Sequence, residues 1–212
     1  SNIETQQSKE DLIWHEITNA YRTRRILTGT LGGIERLEGG ATIAIIYYKN
    51  FRVVIPITEM MIHLIEDEAH NYGEISLRQN KIVNTMLGCE IDFIIKGLDS
   101  KTRSIAASRK DAMLKKRQIF YLDQDVSGNH KIYEDRVVQA RVIAVAAKVV
   151  RVEIFGVETS IPARDLSFDW LGDANERFHV GDHILVRILD VQAEDPEHIS
   201  VKADVKSVEG NT

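Results

Sequence analysis

Two stretches of the 212-residue sequence combine residue types that act together on a polyanion. Tyr47, Tyr48, Lys49, Phe51 and Arg52 crowd rings and cations around one Lys-Asn turn signal. Rings stack on bases and cations meet phosphates, so this mixture fits a platform for a single nucleic-acid strand. Alternation along a strand sends at least one of the rings inward. Downstream, Lys101, Arg103, Arg109, Lys110, Lys115, Lys116 and Arg117 are opposed within their stretch by Asp111 alone. A local cationic strip attracts a polyanion even on an acidic protein, and the competing reading is a solvated helix face. A thinner set, Lys148 and Arg151 with Arg141, Arg164, Arg187 and Lys202, follows later, and strand periodicity does not put all of it on one face.

Other chemistries find little to work with. His63, Glu66 and His70 suit one helical face but depart from the His-Glu-x-x-His zinc spacing, so a surface helix is expected and no metal. Cys89 is the only cysteine, which rules out an intrachain disulfide and a thiolate zinc cluster and reads as an inert buried thiol. Gly29, Gly32 and Gly33 match neither the dinucleotide fingerprint nor a phosphate loop; they suit the strand coiling of a small barrel. No nucleophile elbow or Ser-His-Asp order is present, so the expectation is a protein that is not an enzyme and needs no cofactor.

A formal net charge of -5 argues against a protein that coats nucleic acid by charge alone, since that contribution scales with the phosphates neutralised. No run approaches the roughly 18 apolar residues of a membrane span, and no signal peptide is seen, so a cytoplasmic location without a membrane partner is expected. The opening Ser1-Asn2, without methionine, fits an expression remnant or a piece of a longer chain.

The elements that must position these residues can be read in order. Residues 1–8 are polar and expected to be poorly ordered. Leu12, Ile13, Ile17, Ala20 and Tyr21 recur at helical spacing over residues 9–24, with Glu10 and Asp11 early and Arg22 and Arg24 late. Strands are predicted over 27–37, 41–48 and 51–57. Thr58 is then expected to cap a helix through Ile65, and a second helix is expected to end at Gly88. A hairpin follows over 88–110, then a helix over 109–121 and a connector carrying Ser127-Gly128-Asn129. Further strands are predicted over 137–145, 148–155 and 158–161, a loop with Phe168, Trp170 and Phe178, and a last hairpin with an acidic loop over 192–198.

The order repeats. Val53-Val54-Ile55-Pro56 precedes Gly88-Cys89-Glu90-Ile91-Asp92-Phe93-Ile94 and Ser104-Ile105-Ala106-Ala107-Ser108-Arg109-Lys110; Thr159-Ser160-Ile161-Pro162 precedes Gly181-Asp182, the strand from Ile184 to Leu189, and Ile199-Ser200-Val201-Lys202-Ala203. Each set resembles the S1-type RNA-binding domain, the five-stranded OB-like barrel of ribosomal protein S1. The resemblance implies a mainly β fold with added helices: two tandem five-stranded OB-like barrels, an N-terminal helix and a helical insertion in the first. The implied boundaries are 1–24 for tail and helix, 25–122 for the first barrel with its insertion at about 59–87, 123–135 for a connector and 136–207 for the second barrel. It also implies a non-catalytic protein that binds single-stranded RNA or associates with the ribosome. The family's stacking positions on strands two and three hold Thr42 and Val54 in the first copy and Val149 and Ser160 in the second, none of them a ring. Stacking must therefore come from the turn at Tyr47–Arg52. The alternative is a protein-interaction module on barrels that have lost their rings; a nuclease would need a metal site.

Overall fold

The computed structural model describes residues 1–62, 72–167, 169 and 172–209. The chain falls into two units, Ser1–Val83 with Ile91–Ala112, and Asn84–Glu90 with Met113–Thr212. His63, Glu66, His70, Phe168 and Trp170 lie outside the described residues, as does most of the helix expected after Thr58.

Helix α1 (Asn2–Thr23) opens the first unit and includes the residues expected to be poorly ordered. Glu4, Gln6 and Gln7 are straight-chain residues that lose little freedom in a helix, so polarity alone does not prevent one here. The helix ends at Arg24, whose left-handed φ of 56° lets the next backbone N–H, of Arg25, reach back to Ala20 O. Trp14, Ile17 and Ala20 recur on one buried face.

Five strands follow: β1 (Leu27–Arg36), β2 (Thr42–Tyr48), β3 (Phe51–Pro56), β4 (Glu90–Asp99) and β5 (Ser104–Ser108). They close a barrel in the order β1-β2-β3-β5-β4, with β3 and β5 parallel. Leu27, Leu31, Ile46, Val53, Ile55, Ile91, Phe93 and Ile105 are buried. Buried Asp92 on β4 accepts the Thr28 hydroxyl of β1 at 2.6 Å, so a carboxylate inside the wall is hydrogen-bonded. Between β3 and β4 the described chain forms a 3-10 turn at Ile57–Glu59 and then helix α2 (Tyr72–Thr85).

Helix α3 (Arg109–Arg117) runs into a π-helical turn, Gln118–Leu122. In the second unit β6 (Val137–Ala146), β7 (Val149–Ile154), β8 (Val157–Pro162), β9 (His183–Asp195) and β10 (His198–Asp204) form a sheet in the order β10-β9-β6-β7-β8. Its edges meet where the Thr159 hydroxyl of β8 donates to Val201 O of β10 at 2.8 Å. Val138, Val142, Val150, Val152, Ile161, Val186 and Ile188 fill its core. Short helices α4 (Ala163–Leu166) and α5 (Lys206–Glu209) complete it. The acidic loop expected over 192–198 shrinks to Pro196-Glu197, because Asp195 accepts the backbone N–H groups of Glu197 and His198 and pins a tight turn.

The two barrels share irregular details as well as strand order. In each, the first strand bulges, near Gly32 and near Ile143, and so does the fourth, near Lys96 and near Leu189. In each, strands two and three are joined by two residues of positive φ, Lys49-Asn50 and Phe155-Gly156. Such a turn matches the right-handed twist of its strands. In each, strand three ends at a proline that starts a helical turn, Pro56 and Pro162.

Candidate nucleic-acid interface

The Lys49-Asn50 turn divides its neighbours by alternation. Tyr48 points inward, meets Phe93 edge-on with centroids 5.9 Å apart, and donates its hydroxyl to Glu16 of α1 at 2.5 Å. Lys49 Nζ lies 2.9 Å from the same carboxylate. Those two partners, the Tyr48 hydroxyl first, hold the Glu16 carboxyl below its ordinary range, while burial and the carboxylate push the Tyr48 phenol up. Phe51 packs against Trp14 of α1 at 5.8 Å. Arg103 lies over the same Trp14 ring and pairs with Asp11 at 2.5 Å. Helix α1 thus engages Tyr48, Lys49 and Phe51 of the expected binding edge and Arg103 of the expected cationic strip.

Tyr47 goes the other way. It is 53% exposed and the edge of its ring abuts Gly32, where an added Cβ would sit 2.1 Å from Cε2 and 2.4 Å from Cδ2. The bulge at Gly32 therefore serves as a seat for this ring, beyond the strand coiling expected of the glycines. Arg52 is directly opposite Tyr47 across β2 and β3 and pairs with Glu35 at 2.5 Å. Beside them a groove of 570 Å³ runs over β3, β4 and β5, lined by Arg52, Val54, Leu98, Thr102 and Arg103. Lys101 stands exposed on the β4–β5 turn, which Asp99 shapes by accepting the Lys101 backbone N–H at 2.9 Å.

The cationic strip does not present one surface. Arg109 is 1% exposed and donates to Met60 O at 2.7 Å. Arg117 is 7% exposed; its Nε donates to Gly156 O at 2.8 Å and its Nη1 to Pro196 O at 3.2 Å. Both were expected on the surface, and both instead satisfy buried carbonyls, a task suited to a forked guanidinium. Lys110, Lys115 and Lys116 are half-buried on α3, and Lys116 lies over the Phe155 ring at 5.8 Å.

In the second barrel Arg151 crosses to Ser160 Oγ and Glu158, each at 3.1 Å, and Lys148 donates to Gly172 O at 2.9 Å. The pair next to the β7–β8 turn, in the place of Tyr47 and Arg52, is Glu153 and Glu158. Glu153 is buried against Arg141 at 3.5 Å. The two barrels therefore share a backbone and differ in chemistry on the same face.

Both units are OB-like barrels, a fold that receives oligonucleotides and oligosaccharides on the face of strands two and three and on the loops flanking it. Residues 131–208, which hold the whole second barrel, match the family model of the S1 RNA binding domain. Among solved structures the chain is similar to a multidomain protein with nucleic acid binding domains from Streptococcus pneumoniae TIGR4, at 9% identity and a TM-score of 0.33, over 85% of this chain and 50% of that one. The chain thus spans about half the length of that structure. No curated protein sequence matches it.

Proposed function

We propose that the chain binds single-stranded RNA without catalysing its turnover, chiefly on the outer face of the first barrel. The observation that carries this reading is the Tyr47 ring, exposed and held by its edge against Gly32 beside Arg52, on the face an OB barrel uses. A base stacks on Tyr47, and the backbone runs along the groove toward Lys101 on the β4–β5 turn. Lys110 adds charge from α3, while Arg151 and Lys148 let the second barrel contribute through a planar guanidinium and an ammonium. The match of residues 131–208 to an RNA-binding family supports the same partner class.

Fluorescence anisotropy with a labelled single-stranded RNA at two salt concentrations tests this. Tyr47→Ala is expected to cost about 1–3 kcal/mol of binding, the range for one stacked base, and Lys101→Ala to weaken binding most at low salt. Wild-type protein that binds no RNA at low salt overturns the reading.

A further inference from the structure

Helix α1 brings its own anions to the cations of the first barrel. Glu16 holds Lys49 Nζ at 2.9 Å, and Asp11 holds Arg103 at 2.5 Å. Both cations stay within reach of solvent, with 52% of the Lys49 side chain and 38% of the Arg103 side chain exposed. Both also stand beside the face proposed for the strand. Lys49 is two residues from Tyr47 on the β2–β3 turn, and Arg103 lines the groove with Arg52.

Exposed ion pairs stabilise a fold little, because each partner gives up water and side-chain freedom to form them. What sets these two apart is how the acids are held. Trp14, Ile17 and Ala20 anchor the helix in the barrel, and the Trp14 ring packs against Phe51. Glu16 is fixed further by the Tyr48 hydroxyl at 2.5 Å, so it stays at the edge when Lys49 swings away. A carboxylate and a phosphate offer an ammonium or a guanidinium the same thing, anionic oxygens at hydrogen-bond distance. A carboxylate anchored beside its cation competes as an intramolecular ligand with a phosphate that must arrive from solution. We propose that Lys49 and Arg103 form a second phosphate-binding surface for single-stranded RNA, which Asp11 and Glu16 occupy as stand-ins and so limit how tightly the strand is held. The inference takes its partner from the RNA reading above and rests on it.

The experiment measures binding of a labelled all-uridine RNA octamer by anisotropy over a salt series, with melting curves for every variant. Asp11→Asn and Glu16→Gln remove the charges and keep a carbonyl acceptor for Arg103 and Tyr48. Each is expected to steepen the salt slope by about 0.7, which amounts to about fivefold tighter binding at roughly 0.1 M salt and fades towards about 1 M. Adding Arg103→Gln to the first variant, or Lys49→Gln to the second, is expected to take the gain away. Glu10→Gln, which removes the same charge from an exposed position of the same helix, separates this effect from a change in net charge. Ion pairs that serve only to seat the helix would lower the melting temperature and leave the slope alone, and that result overturns the inference. So does a gain no larger than that of Glu10→Gln, which leaves the RNA reading standing wherever binding still depends on Tyr47. Binding by the Asp11→Asn, Glu16→Gln double variant with none by wild type supports the withheld surface and sinks the reading that places the strand chiefly on the Tyr47 face. If neither binds at low salt, both are overturned.

Discussion

At the residue scale, the same side-chain type carries out opposite tasks a few positions apart. Arg109 and Arg117 lie in one run of cations with Lys110, Lys115 and Lys116, yet the arginines face carbonyls inside the protein while the lysines remain half-exposed. Arg117 bonds to two different turns of the second barrel, and Arg117→Ala, which removes the donor to the buried Gly156 carbonyl, is expected to destabilise that unit by about 1–3 kcal/mol. Lys110→Ala should stay within about 0.5 kcal/mol of wild type, and urea denaturation of both variants checks the contrast. Equal stability for the two would refute the clamp. None of this was legible in the sequence, because charge density along the chain does not report which way a helix turns each residue.

At the scale of elements, the sequence carried more. Alternation and turn residues placed nine of the ten described strands to within a few positions, while β9 runs to Asp195, six residues past its expected end; that one ring of the Tyr47–Arg52 turn must point inward follows from the pleat alone. What alternation could not supply is the partner of each ring. Gly32 is too distant in sequence to be linked with Tyr47, and only the β1–β2 register brings them together. Gly32→Ala should displace the ring and weaken RNA about as much as Tyr47→Ala does. The double variant should then be no weaker than either single one, a coupling that a double-mutant cycle reads directly. Additive losses would mean that the glycine and the ring act separately. Helix α1 was misjudged at its start because propensity without periodicity left no signal, and its seat on Tyr48, Lys49, Phe51 and Arg103 depends on contacts far apart in the chain.

At the scale of the whole molecule, the proposed binding of RNA has to be reconciled with a net charge of -5. The resolution is local. With Arg52, Lys101 and Lys110 each neutralising one phosphate, the logarithm of affinity should fall with the logarithm of salt at a slope of about -2 for a single strand, and Lys101→Ala should make it shallower by about 0.7. A slope several times steeper would require phosphate contacts by cations beyond these three and would overturn this count. The shared strand order of the two barrels was legible because turns and prolines recur; the difference between their faces was not, since it rests on which pair of residues sits next to each two-residue turn. The Arg117 clamp has one more consequence, for a chain emerging from the ribosome. Its two acceptors lie 39 and 79 residues downstream. The last turn of α3 is therefore made early and fastened late, once the tip of the β9–β10 hairpin has been synthesised, so the second barrel acquires its anchor only after its last hairpin has emerged.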